Sequence, residues 1–225
     1  MKKRILNLVI IAGLAASSVA CKNDKQNEVK AEDAREVTAG TEEAVTFEID
    51  TTASTISWRG TKPTGEHVGT IDVQDGKIMA TSENITGGKV TINMNSIAVT
   101  DEGMDEEYRT KLENHLKGTV EGKKTDFFNV EQFPTANFEI TGLSEKEGKK
   151  MLQGNLTIKD ETKHIEFPVT TNIEDDMLSI ESETFTIDRT DWGVNYGSKT
   201  VFDDLGDKFI SDDMELTINV KAKRS

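Results

Sequence analysis

Beyond residue 45 the sequence predicts an all-β fold: an up-and-down antiparallel barrel of about eight strands, with one amphipathic helix near a mouth. Apolar residues recur at every second position through most of that stretch, the pattern of strands with one buried face. The intervening positions carry Thr, Lys, Glu and Asn, so the other face meets water, and the unbroken apolar runs of buried parallel strands are absent. A meander of this many strands removes its exposed edges most simply by closing on itself. A two-layer sandwich of the same strands remains the structural alternative.

The elements follow in order. Residues 1–20 read as a signal peptide: Lys2, Lys3 and Arg4 precede an apolar run from Ile5 to Val19, too short for a membrane span of about 20 residues. Cys21 resembles the acylated cysteine of a bacterial lipobox, with Ser18 standing where Leu is usual. Acyl chains hold a membrane at about 0.8 kcal/mol per buried CH₂, firmly when more than one is attached. Lys22 does not resemble the Asp that retains some lipoproteins at the inner membrane. The expectation is a cell-envelope lipoprotein of the outer membrane, facing the periplasm or the cell surface. Residues 21–45 then comprise the lipidated cysteine and a disordered tether without aromatic residues.

Composition narrows the partners. Lys and Arg number 27 against 41 Asp and Glu in 225 residues, a formal charge of −14. That balance speaks against nucleic acid and against electrostatic docking on anionic lipid. A single cysteine excludes an intramolecular disulfide and a thiolate metal cluster.

Within the body, Ile56, Trp58 and Gly60 share one face, as do Gly69, Ile71 and Val73, then Val90, Ile92 and Met94. Phe138 and Ile140, Leu152 to Ile158, Ile165 to Val169, and Met214 to Val220 keep the same period. The phase slips near Ser96 and between Ile180 and Phe185, and both slips read as β-bulges. Asp75-Gly76, Gly87-Gly88, Glu147-Gly148 and Asp175-Asp176 read as turns. From Asp105 to Lys117 the period changes: Tyr108, Leu112, His115 and Leu116 form one helical stripe, with acidic residues at the start and Gly118 placed to end the helix.

An eight-stranded barrel holds either side chains alone or one small ligand. Gly60, Gly69, Ser96 and Gly154 alternate with large inward residues, which fits a tightly interdigitated core as well as a cavity with an aromatic wall. Catalytic patterns are missing. His67, His115 and His164 lack H-E-x-x-H spacing, and no serine sits in a G-x-S-x-G elbow. Asp203, Asp204, Asp207, Asp212 and Asp213 do not follow the calcium-loop pattern. No enzyme activity, metal or cofactor is expected.

Ser54 to Ile71, S-T-I-S-W-R-G-T-K-P-T-G-E-H-V-G-T-I, resembles the opening of the YceI-like family. N-H-L-K from Asn114, D-F-F-N-V-E-Q-F-P-T-A-N-F from Asp126, L-Q-G-N-L-T-I-K from Leu152, I-D-R-T-D-W-G-V from Ile187 and L-G-D-K-F-I-S-D-D-M-E-L-T from Leu205 continue it in order. Residues 118–125 lengthen the link before D-F-F, and Asn129 stands where the family has Asp. The resemblance implies that 46–225 is a lipocalin-like barrel binding a polyisoprenoid or fatty-acyl amphiphile, for transport or storage in the envelope. The lining it implies is Trp58, Ile71, Met94, Leu112, His115, Leu116, Phe127, Phe128, Phe138, Leu156, Phe167, Phe185 and Trp192. His67, Arg189 and Tyr196 are the head-group candidates, with an Asp188 or Asp191 ion pair as the structural alternative for Arg189. A C40-class tail is the type ligand. A filled barrel acting as an envelope protein-interaction module is the alternative, and homodimer formation is open to an exported barrel.

Overall fold

The computed structural model describes residues 27–37 and 43–225. Cys21 and the segment read as a signal peptide lie outside them. The strands are β1 (Glu32–Asp33), β2 (Val45–Ile49), β3 (Thr55–Lys62), β4 (Gly65–Ala80), β5 (Ile85–Val99), β6 (Thr135–Lys146), β7 (Lys149–Ile158), β8 (Glu161–Glu174), β9 (Met177–Ser182), β10 (Phe185–Asp188) and β11 (Asp213–Arg224). Helix α1 spans Glu106–Lys117 between β5 and β6.

Each of β3 to β8 pairs antiparallel with the next, β8 with β9, β9 with β11, and β11 returns to β3. The result is a closed, uneven eight-strand ring, the barrel that the alternation predicts. Two places in the ring are each filled by a broken strand. β2 and β3 lie at successive heights between β4 and β11, interrupted at residues 50–54. Asp50 Oδ1 caps that break by accepting from the amides of Thr52 (3.1 Å) and Ala53 (3.2 Å). β9 and β10 likewise follow one another along β11. The second phase slip is therefore a strand break and not a bulge. The first is a bulge: Thr70 faces Ala98 and Asp72 faces Asn93, so β5 carries extra residues between. The Ser96 hydroxyl fills the gap, accepting from the Asp72 amide at 2.8 Å and donating to the Asn93 carbonyl at 2.7 Å.

Glu147-Gly148 and Asp175-Asp176 make turns, whereas Asp75-Gly76 and Gly87-Gly88 run inside the long strands β4 and β5. The β4–β5 turn falls instead at 81–84, closed by Thr81 N to Asn84 O at 2.9 Å. Gly76 is glycine because of crowding: a Cβ there would lie 2.6 Å from Ile49 Cδ1 and 2.7 Å from the Lys89 carbonyl.

The segment read as a disordered tether also differs in its described part. Residues 27–33 enter the seam that opens where β10 parts from β8. Glu32 and Asp33 pair with His164 and Lys163 of β8, and on the other side the Val29 amide donates to Thr186 O at 2.8 Å. Val29 is buried, and Asn155 locks the strap by accepting from the Arg35 amide (3.0 Å) and donating to its carbonyl (2.7 Å). A polar segment without periodicity gave no sign of this, because two edge strands supply the hydrogen bonds and one valine the apolar anchor.

The end of the barrel formed by β2 and the β4–β5 turn is filled by Phe47, Ile78, Ile85 and Leu178, all at most 1% exposed. The opposite end carries the β3–β4 turn, the 189–212 connection and α1. Asp105 caps the helix by accepting from the amides of Glu107 (2.9 Å) and Tyr108 (3.3 Å), and Gly118 ends it at φ 74°. After the helix the chain folds back: the Phe128 amide donates to Leu116 O and the Val130 amide to Lys117 O.

Candidate functional site: a one-ended apolar cavity

The alternation of the strands turns Ile56, Trp58, Ile71, Ile92, Met94, Leu156 and Leu216 inward around a cavity of about 390 Å³. The β5 bulge allows Met94 and Ile97 both to face it, although they are three residues apart. The helical stripe completes the wall, since Tyr108, Leu112, His115 and Leu116 all border the space, with Phe127 and Phe128 beside them. The helix therefore lies at a mouth, as the isolated stripe predicts.

Of the lining read from the sequence, Trp58, Ile71, Met94, Leu112, His115, Leu116, Phe127, Phe128 and Leu156 meet around the cavity. Phe138, Phe167, Phe185 and Trp192 do not. Phe167 and Phe185 stack at 4.2 Å with 10° between planes, and Phe138 leans on Phe167 at 5.7 Å. These three fill the barrel below the cavity. Trp192 is 1% exposed and donates from Nε1 to the Leu156 carbonyl at 2.9 Å, which fixes it in the wall beside β7. Period-two patterning gives the face of a residue and not its height along the barrel, so floor and wall look alike in sequence.

Polar groups gather at the mouth. His67 Nδ1 meets Asp101 Oδ2 at 2.6 Å, and Asp101 Oδ1 accepts from the Val68 amide at 2.7 Å. Burial pushes the Asp101 carboxyl up, but the His67 contact, the Val68 amide and Arg109 outweigh it and hold the group below the usual carboxylate range. His115 Nε2 meets Asp126 Oδ2 at 2.7 Å, and its ring stands edge-on to Phe127 (5.1 Å) and Tyr196 (5.0 Å). Tyr196 and Tyr108 keep open faces at the rim, 40% and 51% exposed.

Arg189 borders the cavity but is already occupied. It is 5% exposed and donates to the carbonyls of Ser211 (3.0 Å), Ile210 (3.1 Å) and Val194, with Asp212 at 3.6 Å. Its ion pair is thus with Asp212, and not with Asp188 or Asp191. Burial pulls its proton affinity down, opposed by Asp212 and Asp188. The guanidinium acts as a peg for the 194–212 connection. Sequence reasoning missed Lys62 and Lys208, rim lysines that border the cavity and form no ion pair among the described residues. They sit at a strand end and in a 3₁₀ turn, where no period marks them.

His67 and His115 each hold a carboxylate of their own, and among the described residues no three His, Cys, Asp or Glu converge as a metal site would require. His164, the third histidine, lies under the strap with Nδ1 3.3 Å from Asn155 Oδ1, and burial lowers its pKa.

A closed antiparallel barrel with an apolar hollow and a polar rim defines a lipocalin-like binding protein as a class. The comparisons make the family definite: the model of the YceI-like domain matches residues 47–222, and the chain belongs to the YceI-like family. Among solved structures, Burkholderia cenocepacia BcnA superposes with a TM-score of 0.55 at 20% identity, covering 78% of this chain and 99% of its own. A polyisoprenoid binding domain from Saccharophagus degradans, implicated in plant cell wall breakdown, superposes at 0.53 and 12% identity, covering 80% and 99%. Both share the fold. No curated protein matches the sequence significantly.

Proposed function

We propose that the protein binds one long-chain amphiphile, of polyisoprenoid or fatty-acyl type, and carries or stores it in the cell envelope. It acts as a binder and not as an enzyme. The supporting observation is the cavity: about 390 Å³, walled by aliphatic and aromatic side chains, with polar groups only at one end. Apolar tail burial contributes about 25 cal/mol per Å², which exceeds the ordering cost once a few hundred Å² are covered. The head group stays at the rim, beside His67, His115, Tyr196, Lys62 and Lys208, which all border the cavity. The YceI-like membership and a polyisoprenoid-binding structural neighbour point to the same ligand class.

Acylation of Cys21 would anchor the domain, as the lipobox resemblance suggests, and the Cys21→Ser variant should then move from the membrane to the soluble fraction. The central test is organic extraction of the purified protein followed by mass spectrometry. One lipid per chain is expected. A chain that carries none and takes up no added fatty acid or prenol would overturn the reading.

A further inference from the structure

His164 lies on the outer face of β8, away from the cavity, yet it is only 2% exposed. The N-terminal strap accounts for that burial. Glu32 pairs with His164 along the edge of β8, and three residues later Arg35 is held by Asn155 of β7, the residue opposite His164 in the β7–β8 pair. The chain after Asp33 therefore passes across β8 at the level of the imidazole.

Asn155 fastens that crossing. Its Oδ1 accepts from the Arg35 amide at 3.0 Å and its Nδ2 donates to the Arg35 carbonyl at 2.7 Å, while the same Oδ1 stands 3.3 Å from His164 Nδ1. An amide oxygen only accepts, so Nδ1 carries the hydrogen and Nε2 of the neutral ring carries none. Nε2 is buried without a hydrogen-bond partner among the described residues. A proton added there would place a charge where no group accepts it, and such burial is costly.

The surrounding charges do not remove that cost. Glu28, Lys30, Glu32 and Arg35 of the strap border the same cleft as the ring, as do Glu166 of β8 and Lys146, Glu147 and Lys149 of the β6–β7 hairpin. Glu32 is paired with Arg35 (2.7 Å), Glu166 with Lys146 (3.3 Å) and Lys149 with Glu183 (2.8 Å). β7 presents only neutral groups there, Gln153 and Thr157 beside Asn155. Asp33 and Glu36, the other strap carboxyls, are exposed. Burial disfavours the imidazolium most and the Arg35 guanidinium adds to the effect, while Glu32 and Glu166 offset only part, so the docked ring titrates below its ordinary range. With the strap lifted, the ring meets water and regains a pKa of about 6.5. The lifted state then binds the proton more tightly. Docking is at full strength above about pH 6.5 and weakens as pH falls from there toward the lower value of the docked ring.

We propose that His164 and Asn155 form a proton-operated latch: a proton on His164 releases Arg35 from Asn155 and loosens the strap from the β8–β10 seam. The barrel stays closed, because its ring runs through β8, β9 and β11 without the strap. Release bares the backbone edges of β8 and β10. The latch is independent of what the cavity holds.

The test is hydrogen exchange of the full chain as Cys21→Ser from pH 8 to pH 5, with each amide rate divided by its intrinsic rate at that pH. The Val29 and Arg35 amides, which donate to Thr186 and Asn155, should keep constant protection above pH 7. Below pH 6.5 it should fall by up to tenfold per pH unit, the limit for a single proton. His164→Asn keeps a donor for Asn155 and cannot titrate, so the fall should vanish whatever the absolute protection. Glu32→Gln should retain it, because Arg35 holds the Glu32 carboxyl below the usual carboxylate range. NMR titration of the His164 ring without a change at that position gives a second reading, and its midpoint should lie below that of a free histidine. Protection that stays flat from pH 8 to pH 5, a fall that His164→Asn retains, or a ring that titrates like free histidine while the strap stays protected would each overturn the latch.

Discussion

A methyl group at Gly69 would overlap the Ala98 carbonyl and lie 2.5 Å from Trp58 Cζ2. The glycine lets β4 pass under the indole, so one missing Cβ sets the orientation of a wall residue of the cavity. Gly69→Ala should destabilise the fold by about 1–3 kcal/mol or more through overpacking, read as a lower urea midpoint with an altered Trp emission. Crowding also explains why Gly76 and Gly88 sit within strands. In sequence a glycine beside Asp or Gly signals a turn, and nothing local distinguishes a turn from a place where a neighbouring strand presses in. Asp101 carries a different consequence. Its carboxyl is held below the ordinary range in the folded chain, so its stabilising contribution is present above the unfolded carboxylate pKa of about 3.9 and is lost as pH falls through the lower folded value. Asp101→Asn should therefore lower the melting temperature at pH 7, and its gap from the wild type should narrow as pH falls below the unfolded carboxylate pKa of about 3.9.

At the scale of elements, helix α1 was legible almost to the residue, because its stripe, acidic start and terminal glycine agree with one another. The strap of residues 27–33 was invisible, because backbone pairing with β8 and Thr186 docks it and only Asn27 adds side-chain hydrogen bonds, so no periodic residue signature marks it. It closes the seam between β8 and β10. Val29→Asp should undock it, costing about 2 kcal/mol from the lost apolar burial and exposing residues 27–37 to protease. An unchanged cleavage pattern and melting curve would show that the seam holds without its strap. The broken strands follow the same logic: the alternation fixes which side chains face inward, while the breaks at 50–54 and 183–184 depend on how neighbouring strands diverge.

For the whole molecule, barrel closure, strand number and the wall around Trp58, Met94 and Leu156 followed from patterning together with the family resemblance. The division of the interior into a hollow upper half and a solid lower half did not, since it is decided by where large side chains from distant strands meet. The two tryptophans report this division. Trp58 borders the cavity, whereas Trp192 is packed away against β7. Added dodecanoic or hexadecanoic acid should shift the emission of a Trp192→Phe variant and leave that of a Trp58→Phe variant nearly unchanged. Equal responses from both would place the bound molecule elsewhere.

The docked strap changes the geometry of anchoring. Were the chain free up to the first barrel strand at Val45, 23 residues would separate a lipidated Cys21 from the domain. With Asn27 already held against Thr186, six peptide steps remain, at most about 20 Å in any conformation. On the proposed acylation of Cys21, a leash that short would keep the barrel within grazing distance of the bilayer that holds its lipid. Cargo could then be exchanged with that leaflet directly, while a second membrane across the envelope would lie out of reach.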